Sequence, residues 1–138
     1  MIYAPTQPFL TDKVKTTMPR VIHFEIHADD PERAVKFYSK VFGWEIKKWP
    51  GPTDYWLAKT GEDKEPGING AIMHREKNGT VYNTIDVPSV DEYIEKIKQA
   101  GGKVITEKMA VPGVGYMAYC KDTEGNIFGI MQMNPSAK

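Results

Sequence analysis

Residues 21–46 read VIHFEIHADDPERAVKFYSKVFGWEI, and the fold follows from how this stretch divides. It opens in alternation, with Ile22, Phe24 and Ile26 on one side of a strand and His23, Glu25 and His27 on the other. The strand ends at Ala28, where signals for a helix start gather. Asp30 is placed to cap free amides, Pro31 suits the first helical position, and Glu32 complements the positive end of the dipole. Apolar residues at Ala34, Phe37, Tyr38, Val41 and Phe42 have the spacing of a helix buried along one side. Gly43 supplies the stop, and Trp44–Glu45–Ile46 begins another strand.

Outward from this strand–helix–strand unit, the chain repeats it. Ser89 and Glu92 have the spacing of a capping box, Val90, Tyr93, Ile94 and Ile97 form a helical stripe, and Gly101–Gly102 ends it before a strand over Lys103–Thr106. An offset of 59 residues places Ala34 on Tyr93, Val35 on Ile94, Tyr38 on Ile97, Gly43 on Gly102 and Ile46 on Ile105. The same offset lays Gly70-Ala71-Ile72 on Gly129-Ile130-Met131, so a duplication accounts for the pattern. Further strands read over Tyr55–Lys59, Ile68–His74 and Val81–Val87, with a hairpin turn at Asp122–Asn126. The predicted class is α+β: two βαβββ modules, residues 20–76 and 80–133, forming a curved, half-barrel eight-stranded sheet with helices on its convex side. Residues 1–19, with Pro5, Pro8 and Pro19, read as an arm that lies on the domain or reaches a partner subunit, and 134–138 as a tail.

With 138 residues the chain is long enough for one domain that buries most of its apolar surface. Lysine plus arginine and aspartate plus glutamate each number 18, which argues against nucleic acid or anionic lipid as partner. The first twenty residues hold no apolar run, so neither a signal peptide nor a membrane span is expected there. Cys120 is the single cysteine, which excludes an internal disulfide and fits a reducing, cytoplasmic setting. It sits in a strand-like run, Tyr116–Lys121, with no neighbouring base, and reads as a small core residue.

The opening H-x5-DDPERA-x2-FY…FGW, with Gly67–Gly70, the PGVGY of Pro112–Tyr116 and Asp122–Gly129, resembles the vicinal oxygen chelate superfamily over residues 20–133. That group includes glyoxalase I, extradiol dioxygenases and bleomycin-resistance proteins. The resemblance is nearest to a glyoxalase-related branch whose members are named as predicted lactoylglutathione-lyase relatives. It implies a concave cleft and a homodimer. In the metal-dependent members four ligands line the cleft, and the matching places here are His23, Gly70, Tyr82 and Gly129. Only His23 is a conventional ligand, because glycine offers no side chain and neutral tyrosine is a poor one for a divalent ion. No metal or other cofactor is therefore expected, nor glyoxalase I activity, whose base in that family is a glutamate ligand.

Strand parity, taken with this alignment, puts His23, Glu25, His27, Gly70, Ile72, His74, Tyr82, Thr84, Asp86, Gly129, Met131 and Met133 on one face. Glu25 is the candidate base: among Tyr82, Ile72 and Met131, desolvation would favour its neutral form, and pairing with His23 would oppose that. His23 or Tyr82 would then donate the proton. The plainer alternative is that Glu25 and His23 satisfy one another without chemistry. Candidate ligand-binding residues are His27, Trp56, Ile72, His74, Thr84, Asp86, Tyr116 and Met131. The resemblance sets His27 beside His74; with Asp86 they would form a displaced metal site, against a solvated strand end as the other reading. Tyr55 and Tyr116 fall near one another in the repeat, and Pro112–Gly115 reads either as a loop over one end of the cleft or as a plain turn. Three classes follow: a metal-independent enzyme on a carbonyl or oxygenated substrate, a protein that binds a small molecule without changing it, or an interaction module with a vestigial cleft.

Overall fold

Both helices start and stop on the signals just described. The computed structural model describes residues 19–138. β1 (Val21–Ala28) leads into α1 (Pro31–Phe42), whose first turn is capped by the Asp30 carboxylate accepting from the Arg33 N–H at 3.1 Å. Gly43 ends α1 at φ 74°, the left-handed conformation that a glycine adopts without a Cβ penalty. β2 (Glu45–Lys48), β3 (Tyr55–Lys59) and β4 (Gly70–His74) complete the first half. The second half runs β5 (Val81–Asp86), α2 (Val90–Gln99), β6 (Lys103–Val104), β7 (Met109–Val111), β8 (Gly115–Lys121) and β9 (Ile127–Met133). The Ser89 hydroxyl caps α2 by accepting from the Glu92 N–H, and the Asp122 carboxylate closes the β8–β9 hairpin by accepting from the Glu124 and Asn126 N–H groups.

The strands form one sheet in the order β2-β3-β4-β1-β5-β9-β8-β6, curled into a half-barrel. At its middle β1 and β5 run antiparallel, His23 opposite Thr84 and Glu25 opposite Tyr82. The 59-residue offset exchanges these two pairs, as a duplicated unit folding about a local two-fold axis requires. β4 lies parallel to β1 on one side and β9 parallel to β5 on the other. The ninth strand, β7, stands off this path. It and β6 both pair with β8, so they act as one interrupted edge strand, broken where the Ile105 and Thr106 N–H groups both donate to the Tyr119 carbonyl.

Both helices pack on one face, α1 over β1, β2 and β4, and α2 over β6, β8 and β9. Two separate cores result. Ala28, Trp56 and Ile72 pack with Ile26, Val35, Tyr38 and Ile46 beneath α1. Val87, Val90, Ala118, Cys120 and Ile130 pack with Ile94, Ile97 and Tyr116 beneath α2.

Two expectations are corrected. First, the offset does not hold for the outer strands. Phe24 aligns with Gly70 and Glu25 with Ala71, whereas Asn83 aligns with Phe128 and Thr84 with Gly129. The true equivalents are Ala71 and Gly129, one residue away from the expected match. A one-residue slip turns every side chain to the other face, so Gly70, Ile72 and His74 belong with the helices. A Cβ at Gly70 would point to that side and lie 2.4 Å from the Phe24 ring. Second, the α1 stripe is only half buried: Phe37, Val41 and Phe42 are 54%, 54% and 59% exposed. Of the two readings of Pro112–Gly115 the structure has the turn, a tight hairpin held by Gly113 N–H to the Ala137 carbonyl and Val114 N–H to the Val111 carbonyl. The arm read over residues 1–19 lies, but for Pro19, outside the described residues.

Candidate functional site

On the face away from the helices, β1 presents His23, Glu25 and His27 at the centre of the curl, as the alternation predicts. Glu25 is 6% exposed, and two phenols satisfy it. Tyr55, from β3, donates to Oε2 at 2.6 Å, and Tyr119, from β8, donates to Oε1 at 2.6 Å. The curl brings these outer strands within reach of the central one. Charge-assisted bonds of this length are among the stronger ones available to a buried carboxylate. A phenol has one proton, and Tyr55 gives its own to Glu25. At the 2.7 Å contact with His23 it therefore accepts, and His23 Nε2 carries the hydrogen.

The expected direct pairing of His23 with Glu25 is thus replaced by a chain, His23 Nε2–H to Tyr55 O–H to Glu25. Among the described residues, the hydrogen bonding of the His23 ring runs through Nε2 alone, which leaves Nδ1 as a base in the neutral ring. Burial pushes the His23 pKa below its ordinary 6.5, against the opposing pull of Glu25. Burial first, then the Glu25 charge and its hydrogen bond, push both Tyr55 and Tyr119 far above the usual phenol range. These two tyrosines are therefore proton donors and not phenolates.

The other residues read as site candidates divide between the two faces. Tyr82 and Thr84 are buried on the open face, with the Tyr82 ring 5.8 Å from that of Tyr119. Asp86 and Met131 align there on neighbouring strands, and burial raises the Asp86 pKa. His27 is buried 4.1 Å from the Tyr82 ring; its Nδ1 accepts from the Glu76 N–H, and its Nε2 has no hydrogen-bond partner among the described residues. Trp56, Ile72 and Tyr116 contribute instead to the packing beneath the helices, a correction to their reading as cleft residues. His74 faces that side too, edge-on to Trp56 and 3.4 Å from Asp54, so it does not stand beside His27. The displaced site of His27, His74 and Asp86 is not assembled.

Sequence reasoning places Tyr55 only near Tyr116 in the repeat and misses Tyr119. The signal existed: Tyr119 alternates with Ala118 and Cys120, so placing Cys120 in the core sends Tyr119 to the open face and Tyr116 to the helices.

A cleft of about 510 Å³ opens on the first half of the sheet, lined by His23, Glu45, Lys47, Leu57, Asp63 and Asn69 among others. The hydrogen-bonded chain meets it at His23. A divalent ion does not suit this centre. The four places carry His23, Tyr82 and, after the register correction, Ala71 and Gly129, and His23 Nε2 is engaged with Tyr55. One imidazole and one neutral phenol are too few donors.

This architecture and open-face cleft define a paired βαβββ protein. Residues 20–130 match the Glyoxalase/Bleomycin resistance protein/Dioxygenase superfamily, and the chain belongs to it. It is 30% identical over 113 residues to a glyoxylase-like domain-containing protein of Didymella fabae, covering 77% of this chain and 88% of that one. It is 28% identical over 126 residues to a probable lactoylglutathione lyase of Vibrio parahaemolyticus, covering 82% and 90%. In fold it is similar to a methylmalonyl-CoA epimerase solved with methylmalonyl-CoA, at a TM-score of 0.65 and 17% identity, over 86% of this chain and 97% of that one.

Proposed function

We propose that this glyoxalase-related protein binds a small oxygenated organic molecule in the open-face cleft and transfers a proton to or from it without a metal. The observation that carries this reading is the chain from Glu25 through Tyr55 to His23, buried at one end and reaching the cleft at the other. In this scheme His23 Nδ1 takes a proton from the carbon or oxygen next to a substrate carbonyl. Tyr55 and Glu25 hold the ring in the Nε2–H tautomer and stabilise the imidazolium that forms. Glu25 is a positioning residue here, since both its oxygens are occupied by phenols and neither is directed at substrate. Tyr82 keeps its place on the same face, with a pKa raised chiefly by burial, as a candidate donor. Glyoxalase I activity is not part of the proposal, because its metal-ligand base has no counterpart among His23, Ala71, Tyr82 and Gly129.

The same saturation of Glu25 favours a second reading, in which the network only braces the sheet and the cleft holds its ligand unchanged. No helix among the described residues is long and apolar enough to cross a membrane. We place the protein in the cytoplasm on the strength of its single buried thiol.

The deciding experiment starts from native mass spectrometry for a co-purifying molecule, followed by a panel of small oxo and hydroxy acids scored by NMR shifts at His23, Leu57 and Asn69. Shifts confined to other surfaces refute the cleft. If turnover is found, His23→Gln should lower kcat by about 10²-fold or more, and Tyr55→Phe by a smaller factor with KM held. A chelator should leave both variants and wild type unaffected. Unchanged turnover in His23→Gln removes His23 from the chemistry and leaves the binding-only reading.

A further inference from the structure

Tyr119 is the member of the Glu25 clamp to which the chemistry above gives no part. It stands on β8, in the second half, yet its hydroxyl reaches across the curl and donates to Glu25 Oε1 at 2.6 Å. Tyr55 donates to Oε2 at 2.6 Å and also accepts from His23 Nε2 at 2.7 Å. One buried carboxylate thus serves two phenols, and only the Tyr55 side leads to the cleft.

The duplicated fold does not require this second phenol. Tyr119 pairs with Gly129 across β8 and β9, as Leu57 pairs with Ala71 across β3 and β4. Ala71 and Gly129 are equivalent in the two halves, so Leu57 stands where Tyr119 stands. The 59-residue offset likewise puts Thr84 where Glu25 is. At the related place the sheet closes with an alkyl side chain and a hydroxyl. A carboxylate gripped from both sides belongs to one half alone.

We propose that Tyr119 is a positioning residue that sets, through Glu25 and Tyr55, the strength of the hydrogen-bonded chain ending at His23. Two donors on one carboxylate share its charge, so each weakens the bond of the other. Without the Tyr119 hydroxyl the whole charge falls to Tyr55. The Tyr55 proton is then drawn harder toward Oε2, the Tyr55 oxygen becomes a better acceptor, and the bond from His23 Nε2–H tightens in turn. The bearing of this coupling on proton transfer rests on the function proposed above; the coupling itself does not.

Proton NMR of the full chain without substrate reads each bond, since a hydroxyl proton in a short bond to a carboxylate resonates far downfield. Tyr55→Phe and Tyr119→Phe each remove one of two such resonances and so assign them. In Tyr119→Phe the remaining hydroxyl proton and the His23 Nε2–H should both move further downfield. Tyr119→3-fluorotyrosine, a more acidic phenol of nearly the same size, takes a larger share of the charge and should move both upfield. That variant also carries the test where Tyr119→Phe does not fold. Resonances that stay put overturn the inference, and so do resonances that move the same way in both variants, as a change of packing would make them. Turnover unchanged in His23→Gln refutes the proposed chemistry and leaves these signals to decide the coupling alone.

Discussion

The two halves of the sheet are built from one unit, yet they treat their helices differently. Beneath α2, Val90 is fully buried and Ile94 and Ile97 pack against Cys120 and Ile130, so the apolar stripe is spent inside the domain. Beneath α1, the inner side of the stripe packs on Trp56 and Ile72, and the outer side with Phe37, Val41 and Phe42 is left over. The open faces differ in a matching way. The second half fills its side with Tyr119, Met117 and Met131, whereas the first half keeps a cleft beside His23. A duplicated unit therefore preserves the local geometry that a strand and helix need, and leaves each copy free to change what its surfaces meet.

The largest effect should come from testing the two cores. Ile72→Ala and Ile130→Ala each remove a fully packed side chain and should cost about 3 kcal/mol in urea denaturation. Phe37→Ser, on the matching helix but outside the core, should stay within about 0.5 kcal/mol. A loss for Phe37→Ser as large as that for Ile72→Ala would erase the contrast between α1 and α2.

A sharper test uses the two glycines that the offset matches wrongly. Gly70→Ala drives a Cβ into the Phe24 ring and should destabilise by about 2 kcal/mol. Gly129→Ala meets nothing nearer than 3.4 Å, with Thr84, Tyr119 and Met117 its nearest neighbours, and should be neutral or slightly stabilising by thermal denaturation. Equal responses would mean that the two positions are equivalent after all.

The smallest expected effect is a pH dependence centred on the first half. His23 and His27 both have pKa values lowered mainly by burial, with Glu25 opposing at His23, and Glu25 and Glu76 opposing and Arg75 assisting at His27. The unfolded chain therefore binds protons more readily than the folded one. Stability should be fully present above the ordinary pKa of 6.5 and decline as pH falls through the lower folded values. Protonation at His27 Nδ1 would also displace its bond from the Glu76 N–H. A Tm flat from pH 7.5 to 5, or an equal decline in His23→Gln combined with His27→Gln, would rule these histidines out as its source.

Much of this was legible beforehand because local signals and tertiary structure agree. Asp30, Gly43, Ser89 and Asp122 act through bonds a few residues long, and such bonds are set by sequence spacing. The face of β1 was legible too, since alternation needs no knowledge of neighbours. What failed was alignment across the long connection from Thr60 to Asn69. A change of one residue in a loop costs almost nothing there but inverts Gly70, Ile72 and His74. The Tyr55–Glu25–Tyr119 clamp was hidden for another reason: its members are 30 and 94 residues apart, and only the curl of the sheet brings them together. The α1 flank is more exposed than its stripe predicts because a stripe of correct period reports that a helix is amphipathic, not how wide a groove receives it.

Cys120 lies fully enclosed beneath α2, and burial pushes its thiol pKa up. Because no second cysteine competes with it, reaction with a thiol reagent becomes a clock for breathing of that half alone. Timing the reaction alongside global unfolding would tell whether the twin units come apart as one body or whether the half beneath α2 loosens first.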